Sequence, residues 1–139
     1  MEYVRLLHPN HFDCQRDEFK SLAFKVYDDG ASVIQLDCVI GIGSSICNHA
    51  QKFYPTVGGE PPVFWIFDEG ILPKDSRLVQ KQSDSGDDCH FNIIADNVSA
   101  LNKALRRLLK AQRVETFLIC DNGQHRQLKR SDVCTCLLY

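Results

Sequence analysis

The chain has no apolar run near the ~20 residues that a membrane-spanning helix requires. Charged Glu2 and Arg5 come early and no long apolar stretch follows them, so no secretory signal is expected. There is no G-x-S-x-G elbow. There is no Gly-Lys-Ser/Thr to complete a phosphate loop, and the glycines of "VIGIGSS" lack the third member of a dinucleotide fingerprint. Paired C-x-x-C knuckles are missing as well. These absences remove the strongest local signatures of serine hydrolases, nucleotide enzymes and zinc modules. No cofactor and no metal is assigned. Internal repeats are also lacking, and 139 residues suit one domain.

Cysteine is plentiful but unpaired by any familiar spacing. Seven occur: Cys14, Cys38, Cys47, Cys89, Cys120, Cys134 and Cys136. The odd number and irregular spacing fit no disulfide framework. Several lie inside apolar runs such as "QLDCVIGI" and "FLICD", where a free thiol behaves as a small hydrophobe. The expectation is therefore reduced thiols and a cytoplasmic location.

Charge is uneven. Residues 1–102 carry 8 Lys/Arg against 15 Asp/Glu, and residues 103–139 carry 8 against 3. The second part can present a basic surface although the net charge is −2.

The patterning predicts an α+β domain with a mainly antiparallel or mixed sheet and two helices, at about 44–53 and 98–112. "YVRLLH" reads as a first strand ended by Pro9. "FKSLAFKVY" alternates enough for a strand, and "DDG" at 28–30 is a turn signal. "ASVIQLDCVIGI" reads as one buried strand, rich in β-branched residues. "GSSICNHAQKFY" is a helix capped by Ser44 or Ser45, and "VFWIFD" is a strand. "SRLVQKQ" is a weaker strand, and "SDSGDD" (83–88) is a polar loop expected to be mobile. "CHFNIIA" is a strand. Leu101, Ala104, Leu105, Leu108 and Leu109 follow the i, i+3, i+4, i+7, i+8 template of an amphipathic helix. "ETFLICD", a turn at "NGQH" and an extended tail "VCTCLLY" complete the expected sheet.

Each chemical candidate has a structural competitor. His8, His11 and Cys14 are three apart, which suggests a metal cluster. Pro9 pushes His8 away from helical geometry, so His8 cannot share a helical face with the others. A strand, a Pro turn and a buried Cys14 explain the stretch better. Lys103, Arg106, Arg107, Lys110 and Arg113 line the helix opposite its leucines, with Arg126, Lys129 and Arg130 beyond. Such a stripe can neutralise phosphates of a nucleic acid, but it is equally a solvated face whose cations suit the helix C-terminus. The end "CLLY" has the outline of a lipidation box, but Tyr139 is not a usual last residue, and a final strand explains Leu137 and Leu138.

Four short stretches, "RLLHP" (5–9), "SLAF" (21–24), "ASV" (31–33) and "CHFNI" (89–93), come in an order that resembles a group of small, poorly characterised bacterial proteins. In that group they run roughly Arg-x-x-His-Pro, Ser-x-Ala-Phe, Leu-Ser-Val and a strand opening on His. Ala31 departs from the group's Leu, and the tail after about residue 115 has no counterpart. The resemblance implies a bacterial origin and a compact domain, and it brings no reaction with it. It nominates Arg5, His8 and His90 as catalytic candidates and Ser21, Phe24 and Ser32 as ligand-binding ones.

The expected role is a small partner- or ligand-binding component, of the kind encoded with defence or toxin–antitoxin systems. A protein partner could meet the surface near "GGEPPVFW", where Phe64 and Trp65 are potential anchors, although a core position suits them better. Two alternatives stand beside it. One is a small enzyme acting on a nucleotide or other phosphate-bearing substrate, which requires Arg5, His8 and His90 to open onto one pocket. The other is a nucleic-acid binder using the basic 103–130 surface.

Overall fold

Alternation in the first strand sets the two faces of the molecule. β1 (Glu2–Leu7) sends Tyr3 and Leu7 into one apolar core and Val4 into another, because successive strand side chains point to opposite sides. The computed structural model describes residues 1–24, 26–27, 30–55 and 60–134, with Ser21 placed by its backbone alone. Its main sheet adds β4 (Ala31–Gln35), β5 (Val63–Asp68), β6 (Ser76–Gln80), β7 (His90–Ala95), β8 (Leu118–Asp121) and β9 (Gln124–Gln127) to β1. The seven strands lie in the order β6-β7-β4-β1-β5-β8-β9, and every neighbouring pair is antiparallel. β2 (Phe12–Asp13) and β3 (Glu18–Phe19) form a separate small hairpin.

Helices cover both faces. α3 (Val98–Lys110) starts where the Asn97 side chain accepts from the Ala100 N–H at 3.0 Å. It buries Leu101, Leu105 and Leu109 against the Tyr3, Trp65 and Ile93 side of the sheet. Each such leucine contributes about 2 kcal/mol of apolar burial. On the opposite face lie α1 (Leu36–Gly41) and α2 (Ile46–Phe53), which pack Val39, Ile46 and Cys47 against Val4, Ile34 and Phe64. Ser45 caps α2, its hydroxyl accepting from Asn48 N at 3.2 Å. The chain is thus an antiparallel α+β domain.

Several expectations are corrected. The long strand over "ASVIQLDCVIGI" stops at Gln35, and Leu36–Gly41 is helical. "FKSLAFKVY" opens on the last residue of the short β3 and runs into a 3-10 helix at Ser21–Phe24 instead of forming one strand. With α1 and α4 (Arg130–Val133) there are four helices among the described residues, not two. The end of the tail strand and the "CLLY" segment lie outside the described residues, as do Asp28, Asp29, Gly58 and Gly59. Phe64 and Trp65 are core residues, 0% and 2% exposed, and cannot anchor a surface partner.

The thiols are the largest correction. Cys14 pairs with Cys134, Cys38 with Cys89 and Cys47 with Cys120. Their Cα separations of 5.5–5.7 Å suit the bond. Cys38–Cys89 ties α1 to the residue before β7, and Cys47–Cys120 ties α2 to β8. Sequence separations of 120, 51 and 73 residues hide this pairing from any local reading.

Candidate functional site

The site begins where two neighbouring strands part. β1 and β4 share only two registered pairs, Tyr3–Gln35 and Val4–Ile34. β4 and β7 stay paired over four, including Ser32–Asn92 and Ile34–His90. Beyond Val4 the backbone of β4 needs other partners, and Arg5 supplies one. Its Nη1 donates to the Ser32 carbonyl at 2.7 Å, while Nε and Nη2 donate to the Ala23 carbonyl at 3.3 and 3.2 Å. The guanidinium carbon lies 4.9 Å from the centre of the Phe24 ring. Burial pushes the Arg5 pKa down to about 10, so the group remains a cation at neutral pH. Among the described residues no carboxylate forms an ion pair with it.

Arg5 floors a cleft of about 390 Å³, which Gly30, Ser32, Tyr54, His90, Asn92 and the 81–85 loop also line. Ser32, His90 and Asn92 share one face of the β4–β7 pair because their register positions are matched or two apart. The Ser32 Oγ lies 2.6 Å from His90 Nε2. On the other side of the ring, Nδ1 lies 2.6 Å from the Lys81 carbonyl oxygen. A carbonyl can only accept, so Nδ1 carries the proton in the neutral ring and Nε2 accepts from the Ser32 hydroxyl. The Asn92 side chain, 8% exposed, has no hydrogen-bond partner among the described residues. Gly30 is required where it stands. Its φ is +104°, and a Cβ there would sit 2.4 Å from the Ile93 carbonyl oxygen.

The wall of the cleft, the polar 83–88 loop, is pinned at Ser83 and Asp87. Asp87 is completely buried. One of its oxygens lies 2.8 Å from His49 Nε2 and accepts from Cys89 N at 2.8 Å. The other accepts from the Tyr54 hydroxyl at 2.5 Å. The Ser83 hydroxyl accepts from Asp87 N at 3.1 Å. Burial, with the Asp87 carboxylate next, pushes the Tyr54 phenol well above its ordinary range, so Tyr54 stays a donor. His49, Asp87 and Cys89 converge closely enough to suggest a metal set, but the Cys89 sulfur is spent in the disulfide to Cys38. The cluster is a staple holding the loop to α2.

The nominated residues divide clearly. Arg5, Ser32 and His90 meet at one cleft, and Phe24 lies under Arg5. His8 does not join them. It caps the 3-10 helix Pro9–His11, its Nδ1 accepting from Asn10 N at 3.1 Å, and its ring packs near His11. Ser21 opens the Ser21–Phe24 3-10 helix, two residues before Ala23, whose carbonyl accepts from Arg5. Cys14, once a candidate ligand beside His11, is bonded to Cys134. Asn92, Tyr54 and the Asp87 staple carried no local signal in the sequence, and Gly30 carried only that of the "DDG" turn. Only the β4–β7 register and the loop closure assemble them.

The basic surface is partly neutralised. Arg126 pairs with Asp121 and Asp132 at 3.1 and 2.8 Å, and Arg130 with Asp17 at 3.2 Å. Arg106 is half-buried, with its Nε enclosed. Lys103, Arg107, Lys110 and Arg113 remain exposed.

Fold and site together define an antiparallel α+β protein with an arginine-floored polar cleft. No protein-family model matches the chain, and comparisons with curated proteins and with solved structures find no match.

Proposed function

We propose that the protein is a small ligand-binding protein whose cleft takes a phosphate-bearing molecule. The observation that carries this reading is the Arg5 guanidinium, charged, facing the cleft and without an acidic partner among the described residues. Three of its donor contacts go to backbone carbonyls. A guanidinium has five N–H groups, so two remain for a ligand. Asn92 adds an amide and Lys81 an exposed residue at the rim. Planar donors beside a polar wall suit phosphate oxygens. A protein partner and a defence or toxin–antitoxin setting remain parts of the same proposal, supported by small size alone.

The three disulfides favour an oxidising compartment and weigh against the cytoplasmic location expected from the sequence. No helix among the described residues is long and apolar enough to cross a membrane.

The test is an amide-resolved NMR titration with inorganic phosphate and with adenosine monophosphate. Shifts are expected at Gly30, Ser32 and Asn92, with affinity reduced at least about tenfold in Arg5→Met, since a charge-assisted hydrogen bond is lost. Arg5→Lys keeps the charge and should fall between the two. Absence of shifts at these three amides with both probes would overturn the reading.

A further inference from the structure

We infer that Ser32 is a nucleophile, activated by His90, and that the cleft hydrolyses a phosphoester instead of merely holding one. This rests on the phosphate reading of the cleft. The Ser32 residue is exposed on β4, while its hydroxyl points at a buried imidazole 2.6 Å away. His90 is 7% exposed, and its ring is held from behind by the Lys81 carbonyl. Lys81 is held in turn, its own N–H donating to the His90 carbonyl at 3.0 Å. A serine, a base within hydrogen-bond reach and a third group that sets the tautomer constitute the arrangement by which a hydroxyl is activated. Here the third group is a peptide carbonyl. It orients the ring and favours the Nδ1–H tautomer without adding a negative charge.

The chemistry balances within the cleft. Ser32 Oγ attacks phosphorus, and the Oγ–P bond forms as the bond to the leaving alkoxide breaks. The hydroxyl proton passes to His90 Nε2 and from there to the leaving oxygen. Water then attacks the phosphorylated serine with Nε2 taking its proton, the new O–P bond forms as Oγ–P breaks, phosphate (or the monoester from a diester) departs, and the proton passes from Nε2 to Oγ. Arg5, fixed under Ser32 through that residue's own carbonyl, supplies positive charge beside the phosphoryl oxygens. Asn92, opposite Ser32 in the register, offers an amide on the same side. A phosphoryl oxygen, anionic or strongly polarised, answers the Arg5 charge better than a neutral acyl carbonyl, which selects phosphoryl over acyl substrates.

The test uses the disulfide-intact protein and a fluorophosphonate ester as probe, read by intact mass and peptide mapping. Attack releases fluoride and leaves a stable phosphonyl serine. One adduct per chain on Ser32 is expected, absent in Ser32→Ala and about a hundredfold slower in His90→Gln. Circular dichroism of each variant reports folding. Ser32 is exposed, so Ser32→Ala keeps the fold and the comparison stands even if His90→Gln does not fold. Inorganic phosphate should slow labelling. Turnover of bis(p-nitrophenyl) phosphate but not p-nitrophenyl acetate identifies the phosphoester class, and the reverse preference overturns that class. A Ser32 that stays unlabelled while the NMR titration still shows phosphate in the cleft overturns the nucleophile and leaves the binding reading in place. Labelling of Ser32 that phosphate does not slow, with no phosphate shifts, keeps the nucleophile and overturns the binding reading. Labelling at the same rate in a folded His90→Gln overturns the role of His90.

Discussion

Asp87→Ala is the perturbation that most directly tests how the cleft is held. Asp87 is fully buried, and its carboxylate meets His49, Tyr54 and the Cys89 N–H. Removing it leaves the 2%-exposed His49 ring facing a void and strips the Tyr54 hydroxyl of its acceptor. Leaving the buried Cys89 N–H and the part-buried Tyr54 hydroxyl without their acceptor costs about 1–3 kcal/mol each. Together that is a large share of the roughly 5–15 kcal/mol by which ordinary domains are stable. For an m-value of about 2 kcal/mol/M, the urea midpoint should fall by about 2 M with the slope unchanged. Asp87→Asn keeps one acceptor oxygen, enough for Cys89 N or the Tyr54 hydroxyl but not both, so its loss should be smaller, about 1–3 kcal/mol. The adjacent Cys38–Cys89 bond limits how far the loop can swing, so both variants must be compared with disulfides intact. Phosphate affinity should fall in Asp87→Ala, because the 81–85 wall loses its anchor. A midpoint for Asp87→Ala within about 0.5 M of the parent would refute the staple.

Other perturbations separate the remaining claims. Removing the Cys38–Cys89 bond opens a loop of 51 residues and should cost about 4 kcal/mol on the loop-closure account, read by urea unfolding of the double alanine variant. Thiol titration of the denatured, unreduced chain should find none of the six paired cysteines reactive. Gly30→Ala should lower stability by about 3 kcal/mol or more, combining positive-φ strain with a clash on the Ile93 carbonyl; an unchanged melting temperature would contradict the backbone placement. Hydrogen bonds from Arg126 hold the Asp132 carboxyl below its usual range, so its stabilisation is present above about pH 4 and is lost as pH falls through the lower folded value. Arg126→Gln should flatten that acid limb in urea midpoints measured from about pH 2 to 6. Lys103, Arg107 and Lys110 replaced by Gln should leave phosphate binding in the cleft unchanged, and a loss there would move the anion site to α3.

Local pattern carried the elements whose reason is local. Leu101, Leu105 and Leu109 announce α3 because one side of a 3.6-residue period must be apolar. Asn122-Gly123 announces the β8–β9 hairpin because its tight turn needs positive φ, and the two residues have φ of 53° and 79°. α1 was misread because "LDCVIG" is as β-branched and apolar as the strand before it. Apolar residues run from β4 into α1 although α1 buries only Val39, and periodicity does not separate strand from helix over six residues.

By itself the sequence determined the α+β class, the α2 and α3 helices and most strands, and it nominated Arg5, Ser32 and His90 among its candidates. It could not say that these three meet, or that His8 stays away. It could not say that Cys14 bonds to a partner 120 residues distant, or that the acidic 83–88 loop buries a carboxylate. Those facts depend on strand register and on contacts between segments far apart in the chain. Propensity and periodicity act over a few residues, whereas a one-residue slip of β7 against β4 would turn His90 to the opposite face and leave Ser32 with no base. The register is chosen by the burial of Ile93 on one side and the pairing of Ile34 with His90 on the other, and only the folded sheet contains that choice.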